Sequence, residues 1–535
     1  MLSFKKPFCV HTSLQVRSLK SFFLRMSRTL AFAASLAAAA SLAGLALAWR
    51  RRRARRLLAF CEAHVLARKL RQGELSSAAL LELFLERVER LDRRLNAVVV
   101  RDFERARARA AAADEATRRG EVWGPLHGLP MTVKEEMAIA GLPRCCGRAE
   151  DIGHVDQESC EAVARLQAAG AVIFGKTNVP TGCLDWQSYN AVYGQTLNPW
   201  RDDVSPGGSS GGAAAAVAAG LTPLELGGDT AGSIRVPAAF CGVVGLAPSH
   251  GTVPTGRPDW EAVVYGPLAR SAADCALALS VLAGRPAVAD AAAREVARPV
   301  EWGGVRVAAW SGGRGSGLGR GDASFCQPDC GVQRAVRRAA EALRAAGATV
   351  VEEARPRALA DPNASLALYR RLLSLTAETA DEGAAGGEGA AVRAEQSALA
   401  SAWASFFART ATSTSSHDVG AIDVMLLPVT VSNAFASDPA PGQDAHTAGR
   451  AFASCDGGGG GGGGAPRDYG AHFFWPHLAI VAQLPSVAVP VGTERRSGLP
   501  LSVQLVGPRG QEERLLRYAA SLMALLPPMG RPPGC

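Results

Sequence analysis

Two glycine-rich loops, each with a serine, constrain this chain more than any other feature. The segment 207–235 joins the loops of Ser209 and Ser233 through an alanine-rich stretch, predicted as a helix over 211–219, and a short apolar run, Leu224–Leu226. Glycine has no Cβ atom and adopts unusual backbone angles, so the N–H groups of such loops can approach a ligand closely. The pattern is typical of loops that hold an anion.

The excess positive charge lies at the N-terminus. The formal net charge is +9, but residues 1–58 contain twelve Lys or Arg residues and no Asp or Glu. The rest of the chain has 46 basic and 49 acidic residues, a formal net charge of −3. We therefore expect no nucleic-acid binding by this larger part.

An uncharged stretch of 21 residues, 29–49, separates a basic leader, 1–28, from a basic linker, 50–58. It is long enough to cross a bilayer as a helix. We predict a membrane-anchoring helix, with Arg50–Arg53 favouring a cytosolic catalytic domain. The alternatives are a chloroplast or mitochondrial transit peptide, a secretory signal, or a start at Met26.

Helical and strand patterns alternate beyond the linker. Ser76 or Ser77 is predicted to cap a helix with an apolar face between Leu80 and Leu95, and a second helix is predicted over 103–119. Short apolar runs at 171–174, 305–310, 348–351, 424–429 and 486–491 are predicted as strands. This alternation indicates an α/β fold: one large domain, 59–528, with a central mixed β-sheet covered by helices, in addition to the N-terminal hydrophobic helix.

Glycine-rich insertions, predicted as mobile surface loops, lie near 312–330, 381–389 and 439–467.

The twelve cysteines do not form a metal-binding pattern. Cys145 and Cys146, and the pair Cys326 and Cys330, lack the second half of a zinc motif, and no histidine follows at ligand spacing. We expect no metal site and no cofactor.

With the upstream segment 124–135, the segment 207–235 resembles the amidase signature family. Further matching segments follow in the same order at 175–178, 198–200, 237–248, 483–492 and 499–507. The resemblance covers most of residues 60–525. It implies a serine hydrolase with a Ser-Ser-Lys triad that acts without a metal.

The resemblance assigns three catalytic residues. Ser233 matches the nucleophile, Ser209 the bridging serine that follows a cis peptide bond, and Lys134 the lysine. Lys134 must be neutral to accept the proton of Ser233 through the Ser209 hydroxyl, so its pKa of about 10.4 must be lowered by burial. We therefore expect the carboxylates of Glu135 and Glu136 to face away from Lys134.

The resemblance also implies an oxyanion hole, which needs backbone N–H groups and no particular side chain. The predicted donors are the N–H groups of Thr230, Ala231, Gly232 and Ser233. Asp229 and Arg235 are predicted to brace this loop.

The sequence departs from the family pattern at two positions. Ala231 stands where the family usually has glycine, and Ala247 where it generally has lysine. Ala231 would cost about 1 kcal/mol if the turn required a positive φ there. Four histidines, His127, His250, His472 and His477, lack the Gly-x-Ser-x-Gly elbow of a Ser-His-Asp triad, and we interpret them as structural or pocket-lining.

The leading hypothesis is an amidase that cleaves a carboxylic amide, including a fatty acyl amide, to an acid and ammonia or an amine. Its partners would be a small amide substrate, the membrane through residues 29–49, and a second copy if the chain forms a homo-oligomer. One alternative is the glutaminase subunit of an organellar glutamyl-tRNA(Gln) amidotransferase. Another is a non-catalytic import or docking receptor, against which the presence of Lys134, Ser209 and Ser233 argues.

Overall fold

One mixed sheet of eleven strands organises the unit Cys61–Cys535. The chain divides into this unit and Met1–Phe60, and all elements below belong to the larger unit. The computed structural model describes residues 26, 57–256, 262–313, 326–359, 361–378, 387–408, 421–437, 451–452 and 467–535.

The strands of the sheet are numbered in chain order. They are β1 (Val98–Arg101), β2 (Pro130–Lys134), β3 (Val172–Thr177), β4 (Leu224–Asp229), β5 (Val244–Ala247), β6 (Val264–Ala269), β7 (Arg306–Ala309), β8 (Thr349–Glu352), β9 (Val424–Pro428), β10 (Ser486–Thr493) and β11 (Pro500–Val506).

The order of the strands across the sheet is β1-β3-β2-β4-β6-β5-β10-β11-β9-β7-β8. The pairs β3/β2, β2/β4, β9/β7 and β7/β8 are parallel. The other six pairs are antiparallel, so the predicted mixed sheet is confirmed.

Helices connect and cover the strands. They are α1 (Ala63–Arg71), α2 (Ser77–Leu95), α3 (Phe103–Arg118), α4 (Glu161–Ala168), α5 (Gly211–Ala218), α6 (Arg235–Cys241), α7 (Ala272–Leu282), α8 (Ala289–Val296), α9 (Cys330–Ala345), α10 (Pro362–Glu378), α11 (Gly387–Ala408), α12 (Phe474–Val481) and α13 (Glu512–Leu525).

The strands nearest the serine loops are buried along their whole length. Every residue of β2, β3 and β4 is buried, which is typical of strands with both faces covered. Helix α5 consists of glycine, alanine and valine, is buried at every position, and packs against these three strands. Its small side chains allow the helix and the sheet to approach closely.

The sequence predicted these elements well. The five predicted strands correspond to β3, β7, β8, β9 and β10, and the predicted helices to α2, α3 and α5. Leu224–Leu226 is the first half of β4. Ser76 caps α2, since its Oγ accepts a hydrogen bond from the N–H of Ala79 at 3.2 Å.

The prediction of an N-terminal hydrophobic helix is corrected. The predicted span, 29–49, lies outside the described residues, and among the residues that are described no helix combines the length and apolar character needed to cross a membrane. The prediction used the absence of charge in a stretch with ten alanines, and the described part of the structure gives it no support.

The insertions near 312–330, 381–389 and 439–467 stay predictions, and regular elements lie at their edges. Cys330 begins α9, and Gly387 begins α11. Within 439–467, Ala451–Phe452 pairs antiparallel with Arg467–Asp468. The rest of these three segments lies largely outside the described residues.

Candidate active site

Lys134 ends the buried strand β2 and reaches the first serine loop. Its side chain is buried, and its Nζ donates a hydrogen bond to Ser209 Oγ at 2.8 Å. The two residues are 75 positions apart in the sequence. The fold therefore brings together the predicted lysine and the predicted bridging serine.

The first serine loop leads into α5 and is tightly packed against its neighbours. The peptide bond between Gly208 and Ser209 is cis, as the resemblance implied. A Cβ atom on Gly208 would lie 2.3 Å from the carbonyl oxygen of Asp185, so only glycine fits at this position. The N–H of Ser210 donates to the carbonyl oxygen of Ser233 at 3.0 Å, which joins this loop to the second one.

The second serine loop places its positive φ at Gly232, not at Ala231. Gly232 has a φ of 101°, whereas Ala231 has no positive φ. A Cβ atom on Gly232 would lie 2.7 Å from Cβ of Pro476. Glycine is thus required at position 232, and the alanine at position 231 carries no backbone penalty.

A buried ion pair between Arg235 and Asp229 stabilises the second serine loop. Arg235 Nη2 donates to Asp229 Oδ1 at 2.8 Å, and Arg235 Nε to Asp229 Oδ2 at 3.0 Å. Both side chains are fully buried. Burial raises the pKa of Asp229, but the guanidinium of Arg235 and two backbone N–H groups outweigh burial and hold that pKa below its ordinary value.

Further contacts of this loop were not predicted from the sequence. Arg235 Nη1 donates to the carbonyl oxygen of Pro476 at 2.8 Å and to Gln504 Oε1 at 3.1 Å. The hydroxyl of Tyr369 donates to the carbonyl oxygen of Thr230 at 2.7 Å. These partners lie more than 130 residues from the loop in sequence, and no local pattern marks them.

The predicted oxyanion donors do not all remain available. The N–H of Gly232 donates to Asp229 Oδ1 at 2.8 Å, so this donor already has a partner. The N–H groups of Thr230, Ala231 and Ser233 form no hydrogen bond within the described residues. The predicted set of four donors is therefore reduced to three.

The carboxylates of Glu135 and Glu136 were both expected to face away from Lys134, which is right for Glu135 and wrong for Glu136. Glu135 turns away from Lys134 and accepts hydrogen bonds from the N–H groups of Cys145 at 2.7 Å and Cys146 at 2.8 Å. Glu136, however, places Oε1 at 2.9 Å from Lys134 Nζ.

The pKa of Lys134 is therefore raised, not lowered. Burial lowers it, but the charge and the hydrogen bond of the Glu136 carboxylate, together with the negative charge of Cys183 and Cys146 when these are ionised, outweigh burial. The expectation of a lowered pKa is wrong because it counted burial and not this close carboxylate. At neutral pH the resting form of Lys134 is the ammonium.

Three of the four histidines are fixed inside the protein. His127, His472 and His477 are buried. Their ring nitrogens lie within hydrogen-bond distance of Thr117, Thr430 and Ser365, at 2.9, 2.7 and 3.0 Å respectively. Burial lowers the pKa of His477 to about 4. These contacts support the structural interpretation of the three residues.

Ala247 and the cysteines do not form an additional site among the described residues. Ala247 is a buried residue of β5, paired with Ser486 of β10. Across the described ranges, no three His, Cys, Asp or Glu side chains are grouped so that they could hold a metal ion.

Comparison with known proteins agrees with this architecture. The protein-family model described as Amidase matches residues 79–438. A glutamyl-tRNA(Gln) amidotransferase subunit from Anaeromyxobacter dehalogenans is 33% identical over 502 residues, which cover 86% of this chain and 95% of that protein. The native peptide amidase from Stenotrophomonas maltophilia is 27% identical with a TM-score of 0.67, over 88% of this chain and 98% of that chain.

A shorter match has higher identity. The "Putative amidase AmiB2" of Mycobacterium tuberculosis is 46% identical over 225 residues. That match covers 42% of this chain and 48% of the mycobacterial protein, so it spans about half the length of that relative.

The large mixed sheet covered by helices is the α/β architecture of the amidase fold. The chain belongs to the amidase family.

Proposed function

We propose that this protein hydrolyses a carboxylic amide to an acid and ammonia or an amine through an acyl-enzyme on Ser233. The observation that carries the proposal is the hydrogen bond of 2.8 Å between Lys134 and Ser209, in a loop that is joined to Ser233 by a backbone hydrogen bond. A serine needs a nearby base to become nucleophilic, and the base proposed for Ser233 is Lys134, acting through the hydroxyl of Ser209.

In the proposed reaction, neutral Lys134 accepts the proton of Ser209 while Ser209 accepts the proton of Ser233. Ser233 Oγ bonds to the amide carbon, and the oxyanion is stabilised by the free N–H groups of Thr230, Ala231 and Ser233. The proton returns through Ser209 to the departing nitrogen as the C–N bond breaks. Water then hydrolyses the acyl-enzyme by the same relay.

The adduct of a fluorophosphonate probe tests the nucleophile directly. Ser233 should displace fluoride and carry the phosphonyl group, because it is half-buried and its hydroxyl forms no hydrogen bond within the described residues. We expect peptide mapping by mass spectrometry to place the adduct on Ser233. Denatured protein and the Ser233→Ala variant serve as controls, and an adduct on Ser209 or Ser210 would refute the assignment.

Replacing Glu136 with glutamine is expected to move the acid limb of the pH profile to lower pH. The relay needs neutral Lys134, so the rate rises with pH through the pKa of Lys134. The carboxylate of Glu136 holds that pKa above its ordinary value, and the amide of Glu136→Gln removes this charge. The measurement is kcat/KM against pH.

The matched control for this prediction is Glu135→Gln. Glu135 precedes Glu136 directly, but its carboxylate binds the N–H groups of Cys145 and Cys146. We expect the acid limb of the Glu135→Gln profile to lie at the same pH as in the wild type. Equal shifts of the acid limb in both variants would show that the contact between Lys134 and Glu136 does not determine its position.

A second candidate is the glutaminase component of a glutamyl-tRNA(Gln) amidotransferase. The 33% identity to a protein of that name over most of both chains favours it. The proposed chemistry at Ser233 is the same, with glutamine as the amide. Hydrolysis of glutamine that appears only when partner chains are added would favour this candidate, whereas turnover of other amides by the isolated chain would favour a free amidase.

A further inference from the structure

Four aromatic side chains, Trp186, Tyr369, Tyr469 and Phe473, form a group that we call the aromatic cluster. Phe473 lies at its centre, because the centroid of its ring is 4.2 Å from that of Trp186 and 6.4 Å from that of Tyr369. The ring of Trp186 is also 5.5 Å from the ring of Tyr469. The four residues come from three separate segments of the chain, which the fold brings together.

The aromatic cluster contacts both serine loops. On the first loop, a Cβ atom on Gly208 would lie 2.9 Å from the carbonyl carbon of Trp186. On the second loop, the hydroxyl of Tyr369 donates to the carbonyl oxygen of Thr230 at 2.7 Å. Phe473, whose ring contacts both Trp186 and Tyr369, therefore lies between a neighbour of the first loop and a neighbour of the second.

The helix that follows places Phe473 near the nucleophile on separate grounds. Phe473 has helical backbone angles, φ −68° and ψ −30°, and directly precedes α12. Pro476 lies about one turn further along, and residues three positions apart share a face of a helix. Cβ of Pro476 is 2.7 Å from the position of a Cβ atom on Gly232, the residue before Ser233. Phe473 and the loop that holds Ser233 are therefore on the same side of this helix.

Phe473 is more open to solvent than the rings that it contacts. Trp186 and Tyr369 are buried, whereas Phe473 is half-buried. Thr230 and Ser233 of the second serine loop are half-buried as well. The exposed parts of Phe473 and of this loop can therefore border the same opening, where an aromatic ring offers apolar surface to a bound molecule.

Two charged residues near the aromatic cluster already have partners. Asp185, which precedes Trp186, accepts hydrogen bonds from the hydroxyls of Tyr469 and Tyr189, the latter at 2.9 Å. The guanidinium of Arg235 is held in the buried ion pair described above. Burying a charged group of a substrate costs free energy unless that group is paired. These described residues therefore favour an uncharged, apolar group beside Phe473.

We propose that Phe473 determines specificity by packing against an aromatic or aliphatic group of the amide substrate. The inference rests on the proposed function, because it names the class of amide that reaches Ser233. Amides with a phenyl or alkyl group are the expected substrates, and glutamine, which carries an ammonium and a carboxylate group, is expected to be a poor one. The aromatic cluster contacts both serine loops, so the apolar group can belong to the acid or to the amine.

Kinetics with two series of amides test the proposal and distinguish the two sides. In the first series the acyl group grows from acetamide to butyramide and phenylacetamide, and in the second the amine of an N-substituted acetamide grows from methylamine to benzylamine. In the wild type, kcat/KM should rise by about tenfold or more along one series, and glutamine should fall below phenylacetamide. Phe473→Ala should remove most of this rise through a higher KM and leave acetamide within about threefold of the wild-type rate.

Two further variants serve as comparisons. Phe473→Leu should retain part of the rise, because leucine keeps an apolar side chain at this position. Phe103→Ala is the matched control, because Phe103 is also half-buried but lies at the start of α3, where its ring centroid is 6.0 Å from the guanidinium of Arg101. It should leave the rise unchanged. An equal rise in Phe473→Ala and wild type, or a preference for glutamine, would overturn the proposal.

Alkyl fluorophosphonates separate this inference from the proposed function. The rate of adduct formation at Ser233 should increase with the length of the alkyl chain in the wild type, and less so in Phe473→Ala. Adducts on Ser233 that form at the same rate for every chain length would overturn the inference and leave the proposed function intact. Absence of an adduct on Ser233 with every probe would refute both.

Discussion

Replacing Ser233 with alanine is expected to lower amide hydrolysis by about 10⁴-fold or more. The variant removes the oxygen that would form the acyl-enzyme, so the relay from Ser209 to Lys134 has no proton to accept. The residual rate would come from binding and from the backbone N–H donors. The measurement is release of ammonia or amine, with kcat and KM determined separately.

The fold should survive this substitution. The hydroxyl of Ser233 forms no hydrogen bond with the described residues, so its removal leaves no buried partner unsatisfied. Ser210→Ala is the matched control, because among the described residues the Ser210 hydroxyl donates only to the carbonyl oxygen of Gly228, at 3.3 Å. We expect Ser210→Ala to stay within about tenfold of the wild-type rate, since it removes one neutral hydrogen bond. A Ser233→Ala variant with a rate in the same range would refute the proposed mechanism.

Replacing Arg235 with methionine is expected to lower the free energy of unfolding by about 3–5 kcal/mol. The substitution leaves the Asp229 carboxylate charged in a fully buried position without its guanidinium partner. It also removes the donors to Pro476 and Gln504, which connect the second serine loop to α12 and β11. Urea denaturation followed by tryptophan fluorescence measures the change.

The control for this prediction is an exposed ion pair. Arg371 Nη1 lies 2.9 Å from Glu395 Oε2, and both side chains are more than 40% exposed. An exposed pair contributes at most about 1 kcal/mol, so Arg371→Met should change the free energy of unfolding by no more than that. Comparable losses in the two variants would show that the buried pair has no special role in stability.

Local patterns were sufficient to predict most of the fold. The strands β3 and β10 and the cap at Ser76 follow from apolar runs and from one hydroxyl before an apolar face. The contact between Lys134 and Ser209 was predicted by resemblance alone, because no spacing rule joins residues 75 positions apart. The order of the strands in the sheet could not be predicted, because it depends on contacts between segments that are distant in the sequence.

The orientation of Glu136 could not be predicted for a specific reason. Strand β2 ends at Lys134, and Glu135 and Glu136 lie in the turn that follows. In a strand, successive side chains alternate between faces, but this rule ends with the strand. The outcome depends on Cys145 and Cys146, whose N–H groups bind Glu135 and leave Glu136 directed toward Lys134.

The sign of the pKa shift at Lys134 could not be predicted either, because it depends on the same turn. The prediction of a lowered pKa assumed that Lys134 is buried, and the structure shows that it is. The sign of the shift depends on one carboxylate at 2.9 Å and on two thiols that the turn and a later segment bring close. Sequence patterns do not fix such distances.

The contrast between positions 231 and 232 shows where saturation mutagenesis of this loop can succeed. A library at 232 should yield almost only inactive or misfolded clones, because every side chain there collides with Pro476. A library at 231 faces no such obstacle, since Ala231 has no positive φ and is partly open to solvent. Position 231 is therefore the place in this loop where diversity can be introduced.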